Sequence, residues 1–129
     1  MPLVKIETRK ELRSDEKAAI FEAVHQALVT AFKIPEHDRN QRIVEYDSAD
    51  FEASRGKGAR FMIVTIEAFA GRSLDAKRQL YREIVGNLEP LGIPPADVLI
   101  VIHDVSLDCW GVQGGRAGCD VDLGFDVRV

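Results

Sequence analysis

The sequence is sparing with several residue types and patterns. Its 129 residues include two cysteines, Cys109 and Cys119, and a single tryptophan, Trp110. Two thiols in a chain without an export signal read most simply as reduced cysteines, not as a disulfide framework. No apolar run approaches the ~20 residues of a transmembrane helix. The opening Met1-Pro2-Leu3-Val4-Lys5-Ile6 has neither the charge profile nor the apolar length of a signal peptide. A basic block is also missing. Seventeen Lys and Arg stand against twenty-one Asp and Glu, for a net charge of −4. That balance argues against nucleic acid and anionic membranes as partners. Gly114-Gly115-Arg116 lacks the lysine and the strand-to-helix context of a phosphate loop. His103, Asp104, Cys109 and Cys119 lie close in sequence, but their spacing fits no zinc pattern. Neither a metal nor a cofactor is therefore expected, and the chain reads as a small cytoplasmic domain.

What is present reads as one sentence written twice. Ile6-Glu7-Thr8 is echoed by Ile66-Glu67-Ala68, Arg13-Ser14 by Arg72-Ser73, Lys17 by Lys77, and Ile34-Pro35-Glu36-His37-Asp38 by Ile93-Pro94-Pro95-Ala96-Asp97. The offsets are 60 or 59 residues, longer than the usual solenoid unit and present in only two copies. This predicts one domain over 1–129 built from two βαβ units, about 1–60 and 61–129. The first unit predicts a strand over Leu3 to Glu7, a helix capped by Ser14 and ending before Pro35, and a strand over Gln41 to Tyr46. The second predicts a strand over Arg60 to Phe69, a helix capped by Ser73 and closed by Gly92, and a strand over Val98 to His103. From Asp120 the chain alternates Val121, Leu123, Phe125, Val127 and Val129, which predicts a terminal strand. The expected architecture is α+β: a four-stranded mixed sheet with two helices on one face. The other face, and the spare terminal strand, would be covered in an oligomer.

Pro2 is the residue most able to carry chemistry. Removal of an initiator methionine ahead of a small residue would leave Pro2 with a free secondary amine. An α-amino group ordinarily titrates near ~8. An apolar pocket or neighbouring cations lower that value, and a nearby carboxylate raises it. The neutral amine would act as a general base and the ammonium as a general acid. Proline also follows methionine in many chains where it does nothing of the kind.

Taken with Pro2, several local stretches in order resemble the tautomerase superfamily. They are Phe32-Lys33-Ile34-Pro35-Glu36-His37-Asp38-Arg39, Gly71-Arg72-Ser73 at the end of a strand, Ile93-Pro94-Pro95-Ala96-Asp97-Val98, and Trp110 before a glycine-rich turn. Within that superfamily the chain is similar to the long, fused-repeat members of the malonate semialdehyde decarboxylase group. The resemblance spans essentially the whole chain. It implies a cofactor-independent homotrimer whose amino-terminal proline is catalytic, with a small keto, enol or unsaturated carboxylic acid as substrate. It implies keto–enol tautomerase activity, with decarboxylase or hydratase activity on the same side of the superfamily.

It further implies that Asp38 assists Pro2 and that Arg72 holds the substrate carboxylate through two parallel hydrogen bonds. Arg72 matches the second of two such arginines in the decarboxylase-like members, and the position of the first is occupied here by Ala70, or by Phe69 if the gap is moved. Arg39, Arg60 and Arg116 are the candidates to compensate, each also readable as a solvated charge. Trp110 either walls the pocket or packs in the core or an interface. His37 either lines the pocket or sits exposed in a loop, and His103 reads as structural. The competing functional class is a non-catalytic oligomeric domain of the same fold that binds a small anion. Intact mass separates the two: the natural protein is expected to be lighter by one methionine residue, and retention of Met1 would deny Pro2 its amine.

Overall fold

The computed structural model describes residues 2–9 and 11–129. Met1, whose removal the catalytic reading requires, lies outside the described residues. The first unit comprises strand β1 (Pro2–Arg9), helix α1 (Ser14–Phe32) and strand β2 (Gln41–Tyr46). The second comprises β3 (Met62–Phe69), α2 (Leu74–Leu88) and β4 (Val98–Val105). A short hairpin, β5 (Gly111–Val112) with β6 (Arg116–Ala117), follows. The sheet order is β2-β1-β3-β4. β1 and β2 run parallel, as do β3 and β4, while β1 and β3 are antiparallel at the centre. The mixed four-stranded sheet and its two helices match the expected fold class.

The strands alternate as a half-covered sheet requires. Val4 and Ile6 of β1, and Val64, Ile66 and Ala68 of β3, are buried against Ile20, Val24, Ala27, Leu28, Leu80, Ile84 and Leu88 of the helices. Asn87 on α2 donates to the Ala23 carbonyl of α1 at 3.0 Å and ties the two helices together. The opposite sheet face is open, and Leu99 and Val101 of β4 are 49% and 38% exposed there.

Helix boundaries follow local chemistry, with one shift. Ser73 caps α2 as expected, its hydroxyl accepting from the Ala76 N–H at 3.1 Å. The cap of α1 falls on Arg13, not Ser14; the Arg13 N–H donates to the Glu16 carboxylate at 3.3 Å. The positive-φ exit is Lys33 for α1, while Gly92 closes the 3₁₀ turn that extends α2.

The predicted terminal strand is not formed. After a 3₁₀ turn over Gly118–Asp120, residues 121–129 are irregular. Asp122 accepts from the Gly124 N–H and Asp126 from the Arg128 N–H, at 2.9 and 2.8 Å. These side-chain turns compete with a ladder, and no strand among the described residues pairs with the segment. The period of two survives all the same: the odd-numbered residues from Val121 to Val129 are half-buried and the even-numbered ones exposed. The segment is tied back to the loop after β3. Ser73 N–H donates to the Val129 carbonyl at 2.9 Å. Gly71, at φ +138°, leaves room for Val127, whose Cγ2 and carbonyl oxygen would lie 3.1 and 3.2 Å from a Cβ there. Gly71→Ala therefore meets both strained backbone and a crowded neighbour. It is expected to lower stability by about 1–3 kcal/mol and to make the 121–129 segment more susceptible to limited proteolysis than in the native protein.

Candidate active site at one end of the sheet

The antiparallel pairing of β1 with β3 sets Pro2 opposite Ala68. The start of β1 therefore lies beside the end of β3, and Pro2 is buried on the helix-covered face. On its other side, β1 pairs with β2 from Val4 and Gln41 onward, and the Val4 N–H donates to the Asn40 carbonyl at 2.9 Å. That register brings the Asp38–Asn40 turn alongside the first residues of β1. The loop after β3 delivers Arg72 to the same end.

Arg72 is the most unusual group in the molecule. It is 6% exposed, with its guanidinium stacked on Phe32 at 4.8 Å and on Phe125 at 5.7 Å. Nη1 donates to the Phe69 carbonyl at 3.0 Å. Nε and Nη2, which share one edge of the planar group, are buried and have no partner among the described residues. Burial pushes the guanidinium below its ordinary pKa, against the opposing pull of Asp104, Asp38 and Asp126. An arginine stays charged under such a shift. The result is a cation clasped by two aromatic rings, with a two-pronged donor edge left unused.

Beside it lies a cavity of about 180 Å³ lined by Asp38, Phe69, Val112, Gln113, Leu123 and Phe125. Val112 and Gln113 come from the β5–β6 hairpin, and Leu123 and Phe125 from the terminal segment. A depression of about 240 Å³ is lined by Arg13, Asp15, Glu16, Ala19, Ile20, Arg60 and Leu91. It sits past the far end of β1, and its charges are paired, Arg13 with Asp15 and Arg60 with Glu16.

A family model described as tautomerase enzyme matches residues 38–113, more than half of the chain. The chain belongs to the tautomerase family. It is 25% identical over 125 residues to the probable tautomerase YusQ of Bacillus subtilis (strain 168), covering 91% of this chain and 97% of that one. The crystal structure of FG41 malonate semialdehyde decarboxylase inhibited by 3-bromopropiolate superposes with a TM-score of 0.81 at 28% identity, covering 88% of this chain and 91% of that one. A fused 4-OT wild-type symmetric trimer matches in fold, with a TM-score of 0.81 at 24% identity over 91% of this chain and 96% of that one.

In this tautomerase the residues singled out by sequence divide into two groups. Pro2, Asp38 and Arg72 converge on the one sheet end. Arg39 turns away and pairs with Glu22 of α1 at 2.8 Å. His37 is exposed. Trp110 packs edge-on against Phe69 with ring centroids 4.7 Å apart, and its indole N–H donates to the Val105 carbonyl at 3.1 Å. It thus backs a wall residue of the cavity. His103 pairs with Glu67 at 2.8 Å on the open face of the sheet. Among the described residues no group of three or more His, Cys, Asp or Glu is placed to hold a metal ion. Sequence reasoning missed Phe32 and Phe125 as the clasp on Arg72 and Phe69 as its carbonyl anchor. The odd-numbered alternation flagged Phe125 as inward-facing, but nothing local told what it faces.

The unused donor edge has an energetic consequence. Buried N–H groups without acceptors cost about 1–3 kcal/mol each, and a buried charge is often replaceable by an apolar side chain without loss. Arg72→Met is therefore expected to leave the melting temperature unchanged or raise it, as read by thermal denaturation. A fall of several degrees would show that the cation holds the fold together.

Proposed function

We propose that the chain is a cofactor-independent enzyme acting on a small keto, enol or unsaturated carboxylic acid, with Pro2 as its general acid or base. The observation that carries this reading is the convergence of Pro2, the Asp38 turn and Arg72 on one sheet end. Removal of Met1 would free the Pro2 amine there. A carboxylate meets two parallel donors on the Nε and Nη2 edge of Arg72. That edge is closed from solvent, so the side chains over it must give way as the substrate enters. In the neutral form the proline nitrogen takes a proton from the carbon next to the substrate carbonyl, giving an enolate and the proline ammonium; the ammonium then delivers that proton to the enolate oxygen, which completes the keto-to-enol step and restores the neutral amine. With Asp38 beside the freed amine, its charge would favour the cationic, proton-donating form of the proline. The proton-donating form would also serve the decarboxylation or hydration that the family resemblance implies.

Phe69, Val112, Leu123 and Phe125 make the cavity apolar, which suits a monocarboxylate with an apolar chain. Phenylpyruvate is the probe of choice. Pro2→Ala is expected to lower kcat by about 10²–10⁴-fold. Arg72→Ala is expected to lower kcat/KM by about 10–100-fold, as for loss of a charge-assisted hydrogen bond. A pH–rate profile assigns the role of Pro2: activity that rises through its pKa marks a base, and activity that falls marks an acid. If Pro2→Ala turns over substrate at the native rate, the acid–base assignment fails; if the native protein binds a small carboxylate but turns none over, the non-catalytic anion-binding reading takes its place.

We assign the open sheet face, with exposed Leu99 and Val101, to contacts in a homotrimer. The trimeric assembly of the fused 4-OT relative supports that reading. A mass by light scattering equal to three chains is the expected result, and a single-chain mass would reject it.

A further inference from the structure

The buried face of α1 is apolar but for one side chain. His25 sits there at 1% exposure, among Ile20, Ala23, Val24, Ala27, Leu28, Ala31 and Phe32. Its Nε2 lies 2.9 Å from the Glu36 carbonyl oxygen. A carbonyl only accepts, so Nε2 carries the proton and donates. The Glu36 carboxylate is also 3.4 Å from that nitrogen, and Gln26 donates to the same carboxylate at 3.3 Å. The imidazole therefore ties the body of α1 to the chain that follows its end. That chain is the turn carrying Asp38, two residues beyond Glu36. The turn is closed by the Asp38 N–H donating to the Pro35 carbonyl at 3.0 Å, and Asn40 donates to the Asp38 carboxylate at 3.0 Å.

A histidine is an expensive choice for a helix face that packs into an apolar core. An apolar residue would bury more cheaply, because an imidazole out of water must find a partner. What the histidine supplies is a rigid donor long enough to reach past the helix end and grip one backbone carbonyl. We infer that His25 is a positioning residue for Asp38, holding the turn so that the carboxylate stands beside the start of β1. This rests on Asp38 acting with Pro2. A side chain that acts through another should lose its effect on turnover once the other is disabled, which a merely structural residue does not do.

The test is a double-mutant cycle on phenylpyruvate tautomerisation, with folding checked by thermal melts and assays run well below each variant's melting point. His25→Leu keeps the volume and removes the donor. It is expected to lower kcat about tenfold or more, in line with the cost of misplaced catalytic geometry, while KM stays within about twofold. His25→Gln keeps an N–H donor and is expected to recover most of the lost kcat. In the Asp38→Asn background, His25→Leu should bring no further loss. A His25→Leu variant with native kcat, or with the same fractional loss in both backgrounds, overturns the inference. If Asp38→Asn alone retains native kcat, the acting partnership of Asp38 with Pro2 fails first, and the inference falls with it. Should His25→Leu not fold, His25→Asn, whose amide is too short to reach Glu36, takes its place in the same cycle with the same outcomes.

Discussion

The antiparallel seam between β1 and β3 is the constraint on which the rest of the molecule depends. Each βαβ unit alone is a parallel pair with a helix across it. Joining the two through β1 and β3 makes the start of one unit lie against the finish of the other unit's first strand. Pro2 and Ala68 are therefore neighbours, and the loops that leave those strand ends meet at one edge of the sheet. Reversing the seam would send the Asp38 turn and Arg72 to opposite ends. The core pattern serves the same geometry, because burying alternate residues of β1 and β3 under two helices fixes the register. A slip of one residue would put Val4 and Ile6 in water and turn Pro2 to the open face.

At that edge, polar groups are held by apolar ones. Arg72 is clasped between Phe32 and Phe125, with the Phe69 carbonyl as its hydrogen-bond acceptor among the described residues. Asp38, Asp104 and Asp126 offset part of the cost of burying it. Asp104 is itself paired with Lys77 of α2. Structure and chemistry pull against each other here: the arrangement that leaves a donor edge unsatisfied is poor for stability and well suited to an anion.

Much of this was legible in the residues. Period and punctuation marked the helices, β2 and the Ser73 cap, because those depend on neighbours within a few positions. The approach of Asp38 and Arg72 to Pro2 was reachable only through family resemblance, since pairing between distant strands leaves no local trace. The terminal segment shows the limit of periodicity. Its alternation correctly marked which side chains turn inward, yet an alternating pattern forms a strand only where a ladder partner exists, and Asp122 and Asp126 offered the backbone local bonds instead. Arg39 shows a different limit. It adjoins Asp38 in sequence, but the turn sends it to Glu22 on the outer side of α1. His25 did leave a signal: Phe21, His25, Leu28 and Phe32 follow one helical stripe, and a histidine in such company needs a buried acceptor.

The clasp on Arg72 has a bearing on how the molecule is made. Phe32 and the Phe69 carbonyl precede or nearly adjoin Arg72 in the chain, whereas Phe125 emerges much later in synthesis. Until that segment arrives, one face of the guanidinium remains hydrated. Closing it afterwards strips water from a charge, a step that opposes collapse of the tail. Because residues 121–129 add no strand to the sheet, what their docking contributes at this edge is the second aromatic ring over the Arg72 guanidinium.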